Sequence, residues 1–421
     1  MNILFLTLLR ITDINERGIY SDLMRKFSKE GHQVFIITPA ERRLKEKTSL
    51  KKLDEATILS VRTLNIQQTN LVEKGLGIML IASQFLNAYN RFLSEVKFDL
   101  ILYSTPPITF TSLILRIKKK CNATSYLLLK DIFPQNAVDI GLIRKNGLIH
   151  KYFRRKEIKL YLASDLIGTM SQANADYLIS HNPYLNPGIV EVCPTSIHPA
   201  RDETPEGLRE KIRSLYKIPL DKVVFVFGGN MGRPQGIDFL IEVLNSNKTL
   251  NSVFFVIAGS GTEYSKIRNW FRTSEPKNAL LLPALPRAEF DSLVQACDVG
   301  MIILDRRFTI PNYPSRLLTY LEHKKPVILA TDSNTDIGKI AEENNYGFWS
   351  LTGNLESFNK HITTMAEDPR LLKRLGSNGY MFLIENYTVD SSYSIIMKHF
   401  KGRNFENNGR VSAVSGLNSN S

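Results

Sequence analysis

The sequence predicts an α/β protein built from two Rossmann-like, doubly wound parallel-sheet domains that face each other across a cleft. Three observations carry this. Short β-rich runs alternate with helical stretches along the first half, the mark of βαβ units. The alternation stops at a polar, Pro-punctuated stretch after Pro194 and starts afresh at Lys222-Val223-Val224-Phe225-Val226-Phe227. Finally, 421 residues exceed one ordinary domain and suit two, each of about 180–200 residues.

In order along the chain, strands are expected at Ile3–Thr7, Gln33–Thr38, Ile58–Val61, Asp99–Tyr103, Ser125–Leu129, Asp165–Met170 and Ile189–Val192. Helices are expected over Tyr20–Lys29, Val72–Leu93, Ile108–Lys119 and Ile149–Leu162. These strands are nearly all apolar, as strands covered on both faces must be. Residues 1–195 form the first domain and 196–221 a linker with one helix near Pro205–Tyr216. Residues 222–385 form the second domain, with further strands at Val253–Ile257, Ala279–Leu282, Val299–Leu304 and Pro326–Leu329. A helix over 386–401 is expected to pack back on the first domain. Residues 402–421, rich in Asn, Ser and Gly, read as a disordered tail.

Composition narrows the function. Hydrophobic residues make up 43%, enough for two cores. Cys121, Cys193 and Cys297 lie far apart with no CxxC pair, which speaks against disulfide frameworks and zinc sites and for a reducing compartment. The seven histidines show no ligand spacing, so no metal is expected. A net charge of +13 suits a phosphate-rich partner, but no nucleic-acid motif accompanies it and nucleic acid is not expected. The apolar start, Asn2 to Leu9, lacks the flanks of a signal peptide. Leu76–Leu86 is too short to cross a bilayer, which takes about 20 residues. A soluble or peripheral protein is expected.

Ligands of open parallel sheets bind beyond the carboxyl ends of the strands, so the loops there matter most. Phe227-Gly228-Gly229-Asn230-Met231-Gly232-Arg233-Pro234-Gln235-Gly236 runs from a strand into a helix. Glycines let backbone N–H groups approach phosphate oxygens, and the helix start adds a positive dipole. The spacing is neither GxGxxG nor GxxxxGK[ST], so neither a dinucleotide site nor a P-loop is indicated. A second turn, Gly259-Ser260-Gly261, ends the next strand. A third, Asn312-Tyr313-Pro314-Ser315-Arg316-Leu317, reads as a helix start. Each alone is as readily a structural turn; three in one domain form a pattern.

That order of motifs resembles the family 4 glycosyltransferases, retaining enzymes of the GT-B fold. It is similar above all to their bacterial O-antigen and capsule branch, including the WbuB-type L-fucosamine transferases. The resemblance covers roughly residues 1–400. It implies that Gly229, Asn230, Gly232, Arg233, Gln235, Gly259, Gly261, Ser315, Arg316, Leu317 and Thr319 hold a nucleotide-sugar donor, a UDP-sugar by the likeness. Gly18, in the loop after the first strand, would approach the donor phosphates. Leu128-Leu129-Lys130-Asp131-Ile132-Phe133-Pro134 resembles the branch's Asp-x-x-Pro segment and makes Asp131 the catalytic candidate. Arg17, Lys130, Gln135 and Ser171 are expected in the cleft or at the acceptor. No cofactor is implied, because the nucleotide-sugar is a substrate.

The chain departs from the family pattern too. The Glu-x7-Glu pair of many relatives falls on Pro311 and Thr319, and the lysine of their diphosphate loop on Gln235. No Asp-x-Asp motif is present, so charge on the departing diphosphate would be met by Arg233, Arg316 and helix starts. The likeness implies an undecaprenyl-diphosphate-linked glycan as acceptor and a place on the cytoplasmic face of a bacterial inner membrane. Leu76, Met79, Leu80, Phe85, Leu86, Tyr89 and Leu93, flanked by Lys74 and Arg91, with basic clusters at Arg116–Lys120 and Lys151–Lys156, are expected to meet the bilayer. Two rival readings stay open: a nucleotide-sugar 2-epimerase of the same architecture, and a noncatalytic GT-B partner.

Overall fold

The computed structural model describes residues 1–66, 69, 71–200 and 205–401, so the expected tail at 402–421 lies outside the described residues. The first domain runs β1 (Asn2–Leu6), α1 (Ile19–Lys29), β2 (Gln33–Glu41), β3 (Ser49–Lys52), β4 (Thr57–Thr63), α2 (Leu71–Phe92) and β5 (Leu100–Ser104). It continues through α3 (Thr111–Cys121), β6 (Thr124–Leu128), α4 (Gln135–Asp139), α5 (Leu148–Ala163), β7 (Leu166–Thr169), α6 (Gln172–His181) and β8 (Val190–Val192). The second domain holds α7 (Leu208–Leu215), β9 (Val223–Asn230), α8 (Ile237–Ser246), β10 (Val253–Ser260), α9 (Tyr264–Ser274), β11 (Ala279–Leu282) and α10 (Arg287–Ala296). After these come β12 (Val299–Ile303), α11 (Arg316–Glu322), β13 (Val327–Thr331), α12 (Ile337–Glu343), β14 (Gly347–Leu351), α13 (Leu355–Glu367), α14 (Pro369–Asn386) and α15 (Val389–Met397).

The first sheet has the order β3-β4-β2-β1-β5-β6-β7-β8 and the second β11-β10-β9-β12-β13-β14. Every pairing is parallel except β3 on β4. Side chains alternate between two covered faces, as strand geometry requires. Ile3 and Phe5 enter one core while Leu4 and Leu6 enter the other. Val224 and Val226 are likewise split from Phe225 and Phe227. Strand order reverses between β1 and β5 and between β9 and β12. The loops beyond those strands are therefore where each sheet offers a binding crevice.

The expected linker is shorter than 196–221. Helix α7 packs on α10, and its Arg213 is wholly buried, donating to Ala296 O at 2.9 Å and Asp298 Oδ2 at 2.6 Å. Residues 208–221 thus belong to the second domain, because a buried guanidinium must stay with its acceptors. The chain crosses between domains twice, side by side: Ile197 N donates to Tyr387 O and Val389 N to Ile197 O, both at 3.0 Å. Beyond the second crossing, Val389, Ile396 and Phe400 join Ile3, Phe5 and Phe27 in the first domain's core.

Candidate active site

On the second domain, β9 and β10 stay in register through the glycines, Gly229 opposite Gly259 and Asn230 opposite Ser260. A Cβ on Gly259 would stand 2.0 Å from Gly229 O, and one on Gly261 2.5 Å from Met231 O. The second glycine turn therefore supports the first through close backbone approach. Gly229, with φ +101°, faces open space and leaves its backbone accessible. Gly236, with φ +54°, closes the loop against Leu304 O.

Arg316 is the cation of this loop. Its guanidinium lies 4.7 Å from the Phe227 ring centroid, and Nη2 donates to Asn230 O at 3.2 Å and to the Gln235 side-chain oxygen. Nη1 is buried without a partner, and among the described residues no carboxylate pairs with Arg316. Burial lowers its pKa. A desolvated cation with an idle donor and no counter-ion is costly unless a ligand supplies the anion. Arg233 instead turns toward Glu263 Oε1 at 3.7 Å and lines a cavity of about 470 Å³ with Asp305, Arg306 and Arg307. Ser315 precedes α11 without a side-chain cap bond. Leu317 and Thr319 are buried, Leu317 within the apolar core of the second domain.

On the first domain, the segment after β6 is fixed by buried Thr105, whose Oγ1 accepts from Lys130 N at 3.0 Å and Asp131 N at 3.1 Å. Asn136 Nδ2 donates to Asp131 Oδ1 at 2.6 Å. Desolvation pushes the Asp131 carboxyl up to about 6. Lys130 Nζ donates to Cys193 O at 3.2 Å, and desolvation brings its ammonium down to about 8. Gly18 directly precedes α1 with ordinary extended backbone and room for a Cβ.

Arg17, Gln135 and Ser171 are engaged between the domains. Arg17 pairs with Glu322 and lies 3.6 Å from Asp291. Gln135 Nε2 donates to Asp139 at 2.7 Å and to Thr309 Oγ1 at 3.4 Å. Ser171 donates to Asp336 at 2.7 Å. Their partners across the cleft, Glu322, Thr309 and Asp336, gave no local signal in the sequence, since each lies more than 150 residues away along the chain. Asn136 could have been noticed as a polar residue just beyond Asp131.

The expected bilayer face divides. Leu76, Met79 and Leu80 of α2 are exposed, whereas Phe85, Tyr89 and Leu93 are core residues. Arg154 is tied to Glu157 and Asn182, leaving exposed Leu148, Ile149 and Tyr152 with exposed Lys151 and Arg155 and half-buried Lys156 on α5. Among the described residues no helix is long and apolar enough to cross a membrane, and no group of three or more His, Cys, Asp or Glu could hold a metal ion.

Residues 209–382 match the family described as Glycosyl transferases group 1. The two parallel-sheet domains make up a GT-B fold, and the second of them carries the matched stretch with its glycine loops. Among known proteins the chain is similar to the probable glycosyltransferase WbjE of Pseudomonas aeruginosa, 22% identical over 65% of this chain and 69% of that one. It is also similar to the putative colanic acid biosynthesis glycosyl transferase WcaI of Escherichia coli K12, 20% identical over 32% of each. Among solved structures, Anabaena Alr3699/HepE in complex with UDP superposes with TM-score 0.68 at 16% identity, covering 96% of this chain and 100% of that one. WaaG, a glycosyltransferase involved in lipopolysaccharide biosynthesis, superposes with TM-score 0.64 at 12% identity over 95% and 100%.

Proposed function

We propose that this chain transfers a sugar, with retention, from a nucleoside-diphosphate donor to a lipid-linked oligosaccharide during bacterial surface-polysaccharide synthesis. The observation that carries the donor assignment is Arg316: half-buried, without a carboxylate among the described residues, its Nη1 buried and unpartnered while Nη2 reaches the glycine loop at Asn230 O. A diphosphate supplies the missing charge and acceptors. As the glycosidic bond to the donor breaks, negative charge grows on the departing diphosphate, and the preorganised guanidinium stabilises it there most strongly. Gln235 and the Phe227 ring hold the guanidinium in place.

Front-face attack lets the departing diphosphate take the acceptor's proton, so no strong protein base is required. Asp131, oriented by Asn136, positions the acceptor hydroxyl and steadies the cationic sugar. Turnover proceeds in EDTA on this reading. The donor is a UDP-sugar, with N-acetyl-L-fucosamine the sugar that the sequence likeness favours. The acceptor is carried on undecaprenyl diphosphate, and exposed Leu148 and Ile149 among lysines and arginines suit the cytoplasmic face of an anionic inner membrane.

Calorimetric titration with UDP, GDP, dTDP and ADP tests the donor site. One nucleotide should bind, and Arg316→Ala should weaken it by about tenfold or more, the usual scale for a lost charge-assisted bond. Equal affinity in both proteins removes Arg316 from the site.

A further inference from the structure

Between β12 and α11 the chain runs from 304 to 315 without regular structure. Connections of that length are uncommon in compact domains and need something to order them. Here the order comes from the other domain. Phe308 and Ile310 are buried in the same apolar cluster as Ile132, Ile140 and Leu178 of the first domain. Thr309 donates to Asp139 through its N–H at 2.8 Å and its hydroxyl at 2.9 Å. Asn174 Nδ2 donates to Pro311 O at 2.8 Å. Four successive residues are thus held by the first domain, five positions ahead of Arg316 at the nearest.

The same segment is then passed to the second domain and to the crossing. Asn312 N donates to Thr335 Oγ1 at 3.0 Å, and the Tyr313 hydroxyl bonds that of Tyr387, whose carbonyl receives Ile197 N. We propose that residues 308–311 are a tether by which the acceptor-side domain positions the donor-diphosphate arginine, with Phe308 and Ile310 as positioning residues and Asp139 and Asn174 as their grip. This rests on the donor reading of Arg316. Parting the domains strips Phe308 and Ile310 of their apolar cover, so the loop cannot stay as it is when the cleft opens. Nucleotide affinity is then coupled to domain closure through a segment that need not touch the nucleotide.

The test uses the full chain as wild type, Phe308→Ala and Asp139→Asn, each with and without Arg316→Ala. Hydrogen exchange across 308–316 is followed without ligand, and affinity for the four nucleoside diphosphates is titrated. Exchange should speed up at 308–316 in both tether variants while the strands of both sheets keep their protection. Arg316→Ala should cost about tenfold or more in the wild-type background and less than about threefold beside Phe308→Ala, the signature of coupled residues. Unchanged exchange in both tether variants overturns the tether, and so does an Arg316 effect of equal size in every background. If wild type binds none of the four nucleotides, the donor reading falls, and exchange at 308–316 alone decides whether the first domain orders this loop. Asp139→Asn keeps the test open should Phe308→Ala fold poorly.

Discussion

Asp336 of the second domain caps a helix of the first. Its Oδ1 accepts from Ser171 Oγ at 2.7 Å and its Oδ2 from Ala173 N at 3.1 Å, at the start of α6. A carboxylate at a helix start gains from both the free N–H groups and the macrodipole. Asp336→Ala should therefore cost about 1–2 kcal/mol of stability, and Asp336→Asn less. Urea denaturation followed by circular dichroism measures this. Equal losses for the two variants would show that the charge contributes nothing.

The Arg17–Glu322 pair is lopsided, which makes its prediction directional. The Glu322 side chain is 1% exposed and that of Arg17 30%. Glu322 also accepts from Ala200 N at 2.7 Å, and among the described residues its Oε2 has no partner. Arg17→Ala strands a buried carboxylate, whereas without Glu322 the arginine can still reach water and Asp291. Arg17→Ala should then destabilise more than Glu322→Gln, and adding Glu322→Gln to Arg17→Ala should recover part of the loss. A double-mutant cycle in urea checks it.

The groups at 130 and 131 predict how pH acts. Asp131 rises from its ordinary 3.8 to about 6, so between those values the folded chain keeps a proton that the unfolded chain has lost. Its contribution to stability therefore falls as pH rises through that window. Lys130 drops from 10.5 to about 8, so between these the folded chain holds fewer protons and stability rises with pH. If ionised Asp131 and protonated Lys130 are the working forms, turnover peaks between about 6 and about 8. Asp131→Asn should remove the acid limb from whatever rate remains, and Lys130→Arg should carry the alkaline limb upward. Limbs that stay in place assign the profile to other groups.

Gly261→Ala separates support from direct contact. The added methyl would meet the Met231 backbone at 2.5 Å, so one of the two loops must move. A loss of about 1–3 kcal/mol is expected, as for other overpacked sites, together with weaker nucleotide binding. Binding that weakens while thermal stability stays at the wild-type value would give Gly261 a direct role at the ligand.

The sheets were legible because their strands are apolar runs separated by glycine or charge. Val223–Phe227 and Val253–Ile257 needed no tertiary information. The edge strands β3, Ser-Leu-Lys-Lys, and β14, Gly-Phe-Trp-Ser-Leu, were not expected; the exposed antiparallel β3 has no hydrophobic signature. Helix α7 looked like linker because its Arg213 reads as a surface charge until its buried acceptors appear. The glycine loops stood out in the sequence as candidates for an anion site, but the division of labour within them did not. Gly259 and Gly261 brace, Gln235 positions Arg316, and Arg233 faces Glu263. Contacts between domains were invisible for a simpler reason: Asp336, Glu322 and Thr309 meet partners that only the folded chain brings near.

Glycosyl transfer itself tests the central claim most directly. UDP-, GDP-, dTDP- and ADP-sugars would be offered with a short polyprenyl-diphosphate glycan in the presence of EDTA, to wild type, Asp131→Ala and Arg316→Ala. The account predicts a new glycoside with retained anomeric configuration from wild type, and loss of most product from both variants. Tight nucleotide binding with no glycoside from any donor, or full product from both variants, would contradict it.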